Sequence, residues 1–249
     1  MAGPLALLGG MEHLPVFHDA DRNLLDLVGV PQPRVAVVPA ASTRRKRSET
    51  AALARGYWAG LGTQVSVALP GRDLGHAIDA VNDADVIVLT GGHPNLLLGA
   101  LGASPLWDHI TRRWLAGAAL SGSSAGAMAL FQWRIHLYPP DPLKLIPGLG
   151  LVHGYVAAPH FDRLRGRRWG RSAAHRLGRQ GVLGIDEGTA LLGHGKRFGV
   201  VGAGDVVVID GDEMSIHPAG SEVDLDLVPA GFVSGRVEQR QAKPELALA

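Results

Sequence analysis

Short apolar runs alternate with longer amphipathic stretches through the first half of the chain. Five runs have the length and composition of strands: residues 5–8, 34–39, 64–69, 85–89 and 118–121. The stretches between them are long enough for helices: residues 20–28, 43–61, 75–82 and 96–116. This alternation predicts a parallel sheet with helices on both faces, with ligands bound beyond the carboxyl ends of the strands. Glycines follow three of the strands and should gather at that edge: Gly9-Gly10, Gly91-Gly92 and Gly122.

The last third of the chain has a different pattern. Four short apolar runs are separated by glycine and aspartate: residues 182–185, 190–192, 198–201 and 205–209. Asp210-Gly211 is a hairpin-type turn signal, so we expect antiparallel strands that continue or flank the main sheet. The predicted fold is therefore an α/β three-layer sandwich, with a mostly parallel central sheet and extra antiparallel strands near the C-terminus. Residues 1–237 are predicted to form one domain, and the polar, then Ala/Leu-rich tail 238–249 is expected to be disordered.

Composition excludes several classes of function. The chain has 249 residues with a net charge of +1, so no strong field would steer it to nucleic acid or to a membrane. It has no cysteine, which removes disulfides, thiolate metal sites and cysteine nucleophiles. No apolar stretch is long enough to span a bilayer, and the apolar run from Pro4 to Leu8 lacks the basic residues of a signal peptide. A cytoplasmic enzyme is the resulting expectation.

A candidate nucleophile lies in Gly122-Ser123-Ser124-Ala125-Gly126, which matches G-x-S-x-G. In that motif the serine occupies a strained strand-to-helix turn, and the flanking glycines leave room for it. The apolar segments on both sides of Ser124 provide the required strand–turn–helix setting. The Ala125 N–H would then face a developing oxyanion, and the Gly91-Gly92 turn could supply a second backbone donor.

A candidate general base and its acid partner follow later in the chain. Among eleven histidines, His160 stands out, because it comes after a predicted strand at 154–158 and just before an arginine-rich run. Glu187 follows the strand 182–185 and could accept the ring N–H of His160. Asp186 is the alternative acid, and the residues alone do not separate the two.

Four segments in order resemble the cyanophycinase/dipeptidase E family of serine peptidases, which has the class I glutamine amidotransferase-like fold. They are Thr90-Gly91-Gly92, Gly122 to Ala127, His160-Phe161 with the arginines behind it, and Gly184-Ile185-Asp186-Glu187-Gly188-Thr189-Ala190-Leu191. Gly9-Gly10-Met11-Glu12 also resembles the first strand–loop of that family. The resemblance runs from about residue 5 to about residue 210. It implies a serine in place of the cysteine that this fold usually carries.

The resemblance also implies roles for individual residues. Ser124 matches the nucleophile, His160 the general base and Glu187 the acid, while Gly92 and Ala125 match the oxyanion donors. Gly91, His93 and Asn95 lie at or beside the family's substrate-binding turn. Dipeptidase E takes an aspartate between serine and histidine, and the nearest candidate here is Asp141, in a proline loop.

Two departures from the family concern the substrate. The chain has Ala158-Pro159 before the histidine and His93-Pro94 after the double glycine, where cyanophycinases tend to carry Asp-Gln. The arginine run begins with Arg163 and Arg165, which could bind a substrate carboxylate bidentately. A second basic run, Arg44 to Arg47, is expected to face solvent. The side-chain specificity therefore stays open.

These observations predict a serine hydrolase that cleaves a peptide or isopeptide bond through an acyl-enzyme. No metal and no cofactor is expected, the substrate is a small peptide, and the family resemblance suggests a homodimer. One alternative is an α/β-hydrolase esterase with the order serine, acid, histidine, which would use Asp186 or Asp205 with His217. Another is a catalytically silent binding scaffold on the same fold.

Overall fold

The computed structural model describes residues 2–71, 73–136, 143–163, 166–178 and 180–227. Its helices are α1 (His18–Val28), α2 (Arg47–Gly60), α3 (Leu74–Asn82), α4 (Pro94–Leu101), α5 (Pro105–Leu115), α6 (Ala125–Leu130) and α7 (Gly166–Leu177). The first eight strands are β1 (Leu5–Leu8), β2 (Arg34–Val38), β3 (Gln64–Val67), β4 (Val86–Leu89), β5 (Ala119–Ser123), β6 (Trp133–Ile135), β7 (Leu145–Pro147) and β8 (Val152–His153). The later strands are β9 (Tyr155–Pro159), β10 (Gly181–Ile185), β11 (Thr189–His194), β12 (Arg197–Gly202), β13 (Asp205–Asp210), β14 (Glu213–Pro218), β15 (Glu222–Asp224) and β16 (Asp226–Leu227).

The main sheet has eight strands in the order β15-β12-β11-β1-β5-β4-β2-β3. The five strands from β1 to β3 in this order are parallel, and β11, β12 and β15 continue the sheet in antiparallel fashion. The predicted mostly parallel sheet with antiparallel additions is therefore confirmed. Leu8 pairs with Ser123 and Leu89 with Gly122, so the carboxyl ends of β1, β4 and β5 lie side by side, as the glycine pattern predicts.

Both faces of the main sheet are covered because alternate residues point to opposite sides. On one side Val35, Val37 and Val88 pack with α1 and α2, in a core that includes Trp58. On the other side Ala36, Ile87 and Leu89 pack with α3, α4, α5 and α6. This confirms the three-layer arrangement.

A second sheet has the order β14-β13-β10-β9. One of its faces contributes Leu183 and Ile185 to the main core, while Val182 on the other face packs against Ala173 and Ala174 of α7. The Asp210-Gly211 hairpin is confirmed, since Asp210 pairs with Glu213 between β13 and β14. Strand β10 is antiparallel to β13 but parallel to β9, so the expectation of antiparallel pairing holds for only one of its neighbours.

The predicted helix 96–116 is wrong as a single element. The structure divides it into α4 and α5, because Ser104 caps a new helix by accepting a 3.4 Å hydrogen bond from the Trp107 N–H, and Pro105 occupies the first helical position. Two predicted features, the proline loop with Asp141 and the tail 238–249, lie outside the described residues. Within the described ranges, no helix combines the length and the hydropathy needed to traverse a bilayer.

Candidate active site

Ser124 lies in a strained turn between β5 and α6. Its φ of 48° and ψ of −105° are unfavourable for a residue with a Cβ, and its N–H donates to Leu8 O at 3.0 Å. Gly122 and Gly126 allow this turn by close packing: a Cβ on Gly122 would lie 2.8 Å from the Gly126 carbonyl carbon, and one on Gly126 would clash with Leu89 O. The G-x-S-x-G glycines are therefore required by backbone contacts on both sides of the serine.

His160 follows β9 and reaches Ser124 from the second sheet. Its φ is 54°, and its N–H donates to Gly9 O at 2.8 Å. Gly10 lies directly against the imidazole, so that any Cβ there would overlap the ring. In this position His160 Nε2 lies 2.9 Å from Ser124 Oγ. Gly10, the second glycine after β1, thus makes room for the imidazole.

Glu187 lies on the other side of the imidazole, in the turn between β10 and β11. His160 Nδ1 lies 2.7 Å from Glu187 Oε1, and Arg163 donates to Glu187 Oε2 at 2.7 Å. The Glu187 N–H donates to Asp162 Oδ1 at 3.0 Å, which holds the turn. With Nδ1 donating to a carboxylate, Nε2 is left to accept the Ser124 proton. The Glu187 side chain is only 11% exposed, whereas that of Arg163 is 70% exposed.

Asp186, the alternative acid, has a different partner. Its Oδ2 accepts a 3.0 Å hydrogen bond from the Asp205 N–H. Burial raises the pKa of the Asp186 carboxyl, and the hydrogen bond from Asp205 opposes part of that rise. The two adjacent acids therefore divide their contacts: Glu187 bonds the imidazole, and Asp186 holds the start of β13.

Glu12 organises the glycine turn beside Ser124. Its Oε1 accepts from the Gly91 N–H at 2.7 Å, and its Oε2 accepts from Ser123 Oγ at 2.8 Å. A Cβ on Gly91 would lie 2.5 Å from Glu12 Oε1, so a larger residue there would displace the Glu12 carboxylate. Glu12 is absent from the site residues that the sequence predicts. A carboxylate just beyond the carboxyl end of a central parallel strand is the signal that could have indicated it.

Two backbone donors face the space beside Ser124. Gly92 has a φ of 136°, and a Cβ there would lie 2.6 Å from Ala41 O. Within the described part of the chain, the N–H groups of Gly92 and Ala125 donate to no protein acceptor. Both residues line the pocket that contains Ser124.

His93 and Asn95, two of the predicted substrate-binding residues, do not line the pocket that contains Ser124. The His93 N–H donates to Ala41 O at 2.8 Å, which anchors the start of α4. Asn95 Oδ1 accepts a hydrogen bond from Arg134, a side chain only 4% exposed. Pro94, which lies between them, is among the described residues that line the pocket. Arg165 lies outside the described residues.

The pocket beside Ser124 has a volume of about 240 Å³. It is lined by Gly92, Pro94, Ser124, Ala125, Met128, Ile135, Ala157, Ala158, Pro159, His160 and Trp169. No group of three or more histidine, aspartate or glutamate side chains that could hold a metal ion occurs among the residues that the structure describes.

The rival histidine, His217, lies on β14 and has another serine as its partner. Its Nε2 is 2.8 Å from Ser215 Oγ, on the exposed outer strand of the second sheet. Asp186 and Asp205 contact each other rather than His217. Among the described residues, the α/β-hydrolase alternative, in which the acid precedes the histidine in the chain, therefore has no matching arrangement around Ser124.

Ser124, His160 and Glu187 have, beside this pocket, the order of contacts that serine hydrolases use. The model of peptidase family S51 matches residues 5–201, which is most of the chain. The chain therefore belongs to peptidase family S51, a serine peptidase family, as the sequence resemblance predicts.

Two relatives show the extent of the similarity. A cyanophycinase from Geminocystis herdmanii (strain PCC 6308) is 32% identical over 144 residues, which are 54% of this chain and 53% of that protein. The match thus spans about half the length of the curated relative. The crystal structure of a peptidase from an acI-B1 Actinobacterium superposes with a TM-score of 0.78 at 25% identity, covering 90% of this chain and 97% of the other.

Proposed function

We propose that the protein hydrolyses a peptide or isopeptide bond through an acyl-enzyme, with Ser124 as nucleophile, His160 as general base and Glu187 as its partner. The observation that carries the proposal is the unbroken line of contacts from Ser124 Oγ to His160 Nε2, at 2.9 Å, and from His160 Nδ1 to Glu187 Oε1, at 2.7 Å. Both distances lie within hydrogen-bond range, as general-base catalysis requires.

In the first half-reaction, Ser124 Oγ attacks the substrate carbonyl carbon while His160 Nε2 takes the hydroxyl proton. The imidazolium that results is stabilised by Glu187, which is itself paired with Arg163. Collapse of the tetrahedral intermediate breaks the carbon–nitrogen bond. His160 then gives its proton to the leaving amine, which leaves an ester on Ser124.

The oxyanion of the tetrahedral intermediate would be bound by the N–H groups of Gly92 and Ala125. These donors have no protein acceptor within the described residues and line the pocket of Ser124. Glu12 supports this arrangement, because it links the Gly91 N–H to Ser123. Donors that are held before the reaction need no rearrangement when charge develops.

In the second half-reaction, water replaces the amine. His160 takes a proton from the water as it attacks the ester carbonyl, and then returns that proton to Ser124 Oγ as the acid leaves. Each cycle thus restores the enzyme and consumes one water for each bond cleaved. Cleavage of a peptide or isopeptide bond is the reaction that membership of a peptidase family and likeness to a cyanophycinase favour.

The test is labelling by an alkyl fluorophosphonate, followed by intact mass and peptide mapping, together with hydrolysis of a dipeptide library that includes α- and β-aspartyl substrates. We expect a single adduct on Ser124, and loss of both labelling and hydrolysis in folded Ser124→Ala. The matched control is Ser215→Ala, because Ser215 also lies within 2.8 Å of a histidine nitrogen but outside the site. Full hydrolysis by Ser124→Ala would overturn the proposal.

A further inference from the structure

We propose that the pocket beside Ser124 is a subsite for an uncharged, apolar side chain on the substrate residue whose carbonyl is attacked. This inference rests on the proposed function and specifies its substrate class. It departs from the acidic side chain that the arginine-rich run suggests.

Five elements contribute apolar residues to the wall of the pocket, and Pro94 is the one that comes from α4. Met128 is contributed by α6, Ile135 by β6, Ala157 and Ala158 by β9, and Trp169 by α7. Met128, Ile135 and both alanines are buried, so they present a fixed hydrophobic surface. An apolar side chain that enters the pocket would exchange water for these contacts.

Ionisable groups in the described wall are limited to His160, and its two ring nitrogens already contact Ser124 and Glu187. Arg163, which the sequence suggests for binding a carboxylate, instead donates to Glu187 Oε2 at 2.7 Å. A charged side chain in the pocket would lose its hydration without gaining a partner in the described wall, which is unfavourable.

The position of the pocket determines which substrate residue places its side chain in it. Gly92 and Ala125, the proposed oxyanion donors, line the pocket together with Ser124. The attacked carbonyl carbon therefore lies beside the pocket. In a substrate cleaved at an α-peptide bond, the α-carbon bonded to that carbonyl is the nearest branch point. The side chain on that α-carbon is the group that reaches Met128, Ile135 and Trp169.

Three of the four positions at which the sequence departs from its family lie in this wall, and the fourth, His93, does not. Pro94 follows the double glycine, and Ala158-Pro159 precede His160, and all three residues line the pocket. Non-ionisable residues at these points are consistent with a subsite that discriminates by shape and hydrophobicity. Such pockets commonly discriminate about tenfold or more for each methylene group.

The experiment compares aminoalkyl phosphonate diphenyl esters that differ only in their side chain: leucine, phenylalanine, aspartate and lysine types. Ser124 Oγ attacks phosphorus, its proton passes to His160, and phenoxide leaves, so that each adduct is a stable phosphonyl ester. The second-order rate constant of phosphonylation is measured by intact mass on the full-length protein. We expect the leucine and phenylalanine probes to react at least about tenfold faster than the two charged probes.

A small alkyl fluorophosphonate separates the possible failures. If it labels Ser124 while the aspartate or lysine probe reacts as fast as the apolar probes, the subsite assignment is overturned and the proposed function stands. If it does not label Ser124, the proposed function fails and this inference fails with it.

Trp169 provides a variant that tests the wall of the proposed subsite. It is only partly buried and contacts Phe161 edge to face, with ring centroids 6.4 Å apart. We expect Trp169→Ala to lower the preference for the phenylalanine probe over the charged probes at least fivefold. Trp169→Phe should restore most of the preference. An unchanged preference in Trp169→Ala would contradict the assignment of this wall.

Discussion

At the scale of single residues, Glu12 connects three neighbouring strand ends. It follows β1, accepts from the Gly91 N–H after β4, and accepts from Ser123 Oγ at the end of β5. Its carboxylate thereby holds the glycine turn that supplies one proposed oxyanion donor. Glu12 acts through that turn and through Ser123, so it is a positioning residue.

Glu12 variants should therefore change turnover more than substrate binding. We expect Glu12→Ala to lower kcat about 100-fold, within the range seen when one oxyanion donor is lost, while KM changes little. Glu12→Gln should keep kcat within about tenfold, because its amide can accept from Gly91 and donate to Ser123. Steady-state kinetics on folded variants provide the measurement, and an unchanged kcat in Glu12→Ala would contradict this role.

Glu187 and Arg163 provide a second comparison at this scale. In Glu187→Gln, the amide N–H can donate a hydrogen bond to Nδ1 of His160 and so favour the wrong imidazole tautomer. We therefore expect kcat to fall about 10³- to 10⁴-fold. Arg163→Ala should lower kcat less than tenfold, because an exposed ion pair contributes little. The ratio of the two losses in kcat, measured at one pH, tests the assignment of Glu187 as the partner of His160. A larger loss in Arg163→Ala would show that the arginine does more than pair with Glu187.

Single residues also differ in how well the sequence alone predicts their part in the site. The G-x-S-x-G motif points to Ser124, because a strained turn has a local residue signature, whereas the family resemblance is what assigns roles to His160 and Glu187. Glu12 has no such signature, since its role depends on two partners, Gly91 and Ser123, that are distant in sequence. The choice between Asp186 and Glu187 likewise depends on how the turn before β11 is oriented.

At the scale of elements, α1 and α2 are joined by a buried polar contact. Tyr57 Oη on α2 donates to Asp21 Oδ2 on α1 at 2.6 Å, and Asp21 is only 3% exposed. Burial raises the pKa of the Asp21 carboxyl from 3.8 to about 7, although the hydrogen bond from Tyr57 acts in the opposite direction. The burial of Asp21 therefore makes the stability of the folded state depend on pH.

The sign of this dependence follows from proton binding. Between pH 3.8 and about 7, the folded state holds a proton on Asp21 that the unfolded state has lost. The free energy of unfolding contributed by Asp21 should fall as pH rises through this window, by up to about 1.4 kcal/mol per pH unit. Between pH 5 and 8, Asp21→Asn should lose less unfolding free energy than the wild type, as measured by denaturant unfolding. The difference between the two losses should be on the order of the contribution of Asp21. The exposed Asp26→Asn is the control, and identical pH profiles for Asp21→Asn and wild type would refute the prediction.

Elements also differ in how far their sequence determines them. The β-branched runs of β2 and β4 predict buried parallel strands, and the structure confirms them. The split between α4 and α5 has a local signal in Ser104-Pro105, which periodicity alone overlooks. Short strands such as β6 and β7 pair only with each other, and their three-residue length carries too little pattern to predict.

At the scale of the whole molecule, the candidate site spans two sheets. Ser124 follows a strand of the main sheet, whereas His160 follows a strand of the second sheet. Phe161, next to His160, is buried against Gly184 of β10, where a Cβ would lie 2.5 Å from the phenyl ring. Packing inside the second sheet is thus coupled to the position of the imidazole.

A methyl group at Gly184 should disturb both stability and activity. We expect Gly184→Ala to lower the free energy of unfolding by about 1–3 kcal/mol, as overpacking does, and to reduce kcat by displacing Phe161 and His160. Gly199→Ala is a matched control on β12, because a Cβ there meets only Leu192 O at an ordinary 3.8 Å. Denaturant unfolding and kinetics test both variants, and equal effects at the two glycines would contradict the coupling.

Strand β1 has a consequence for how the molecule is made. It lies between β5 and β11, and Leu5 pairs with Gly193. On a ribosome, β1 is therefore synthesised well before β11, and both of its edges are hydrogen-bonded only once β11 has followed. Pairing across such a sequence separation is slow to form, because the intervening chain must be ordered first. Until β11 is synthesised, one edge of β1 has unpaired backbone groups beside apolar side chains. The nascent chain is therefore a candidate for chaperone binding.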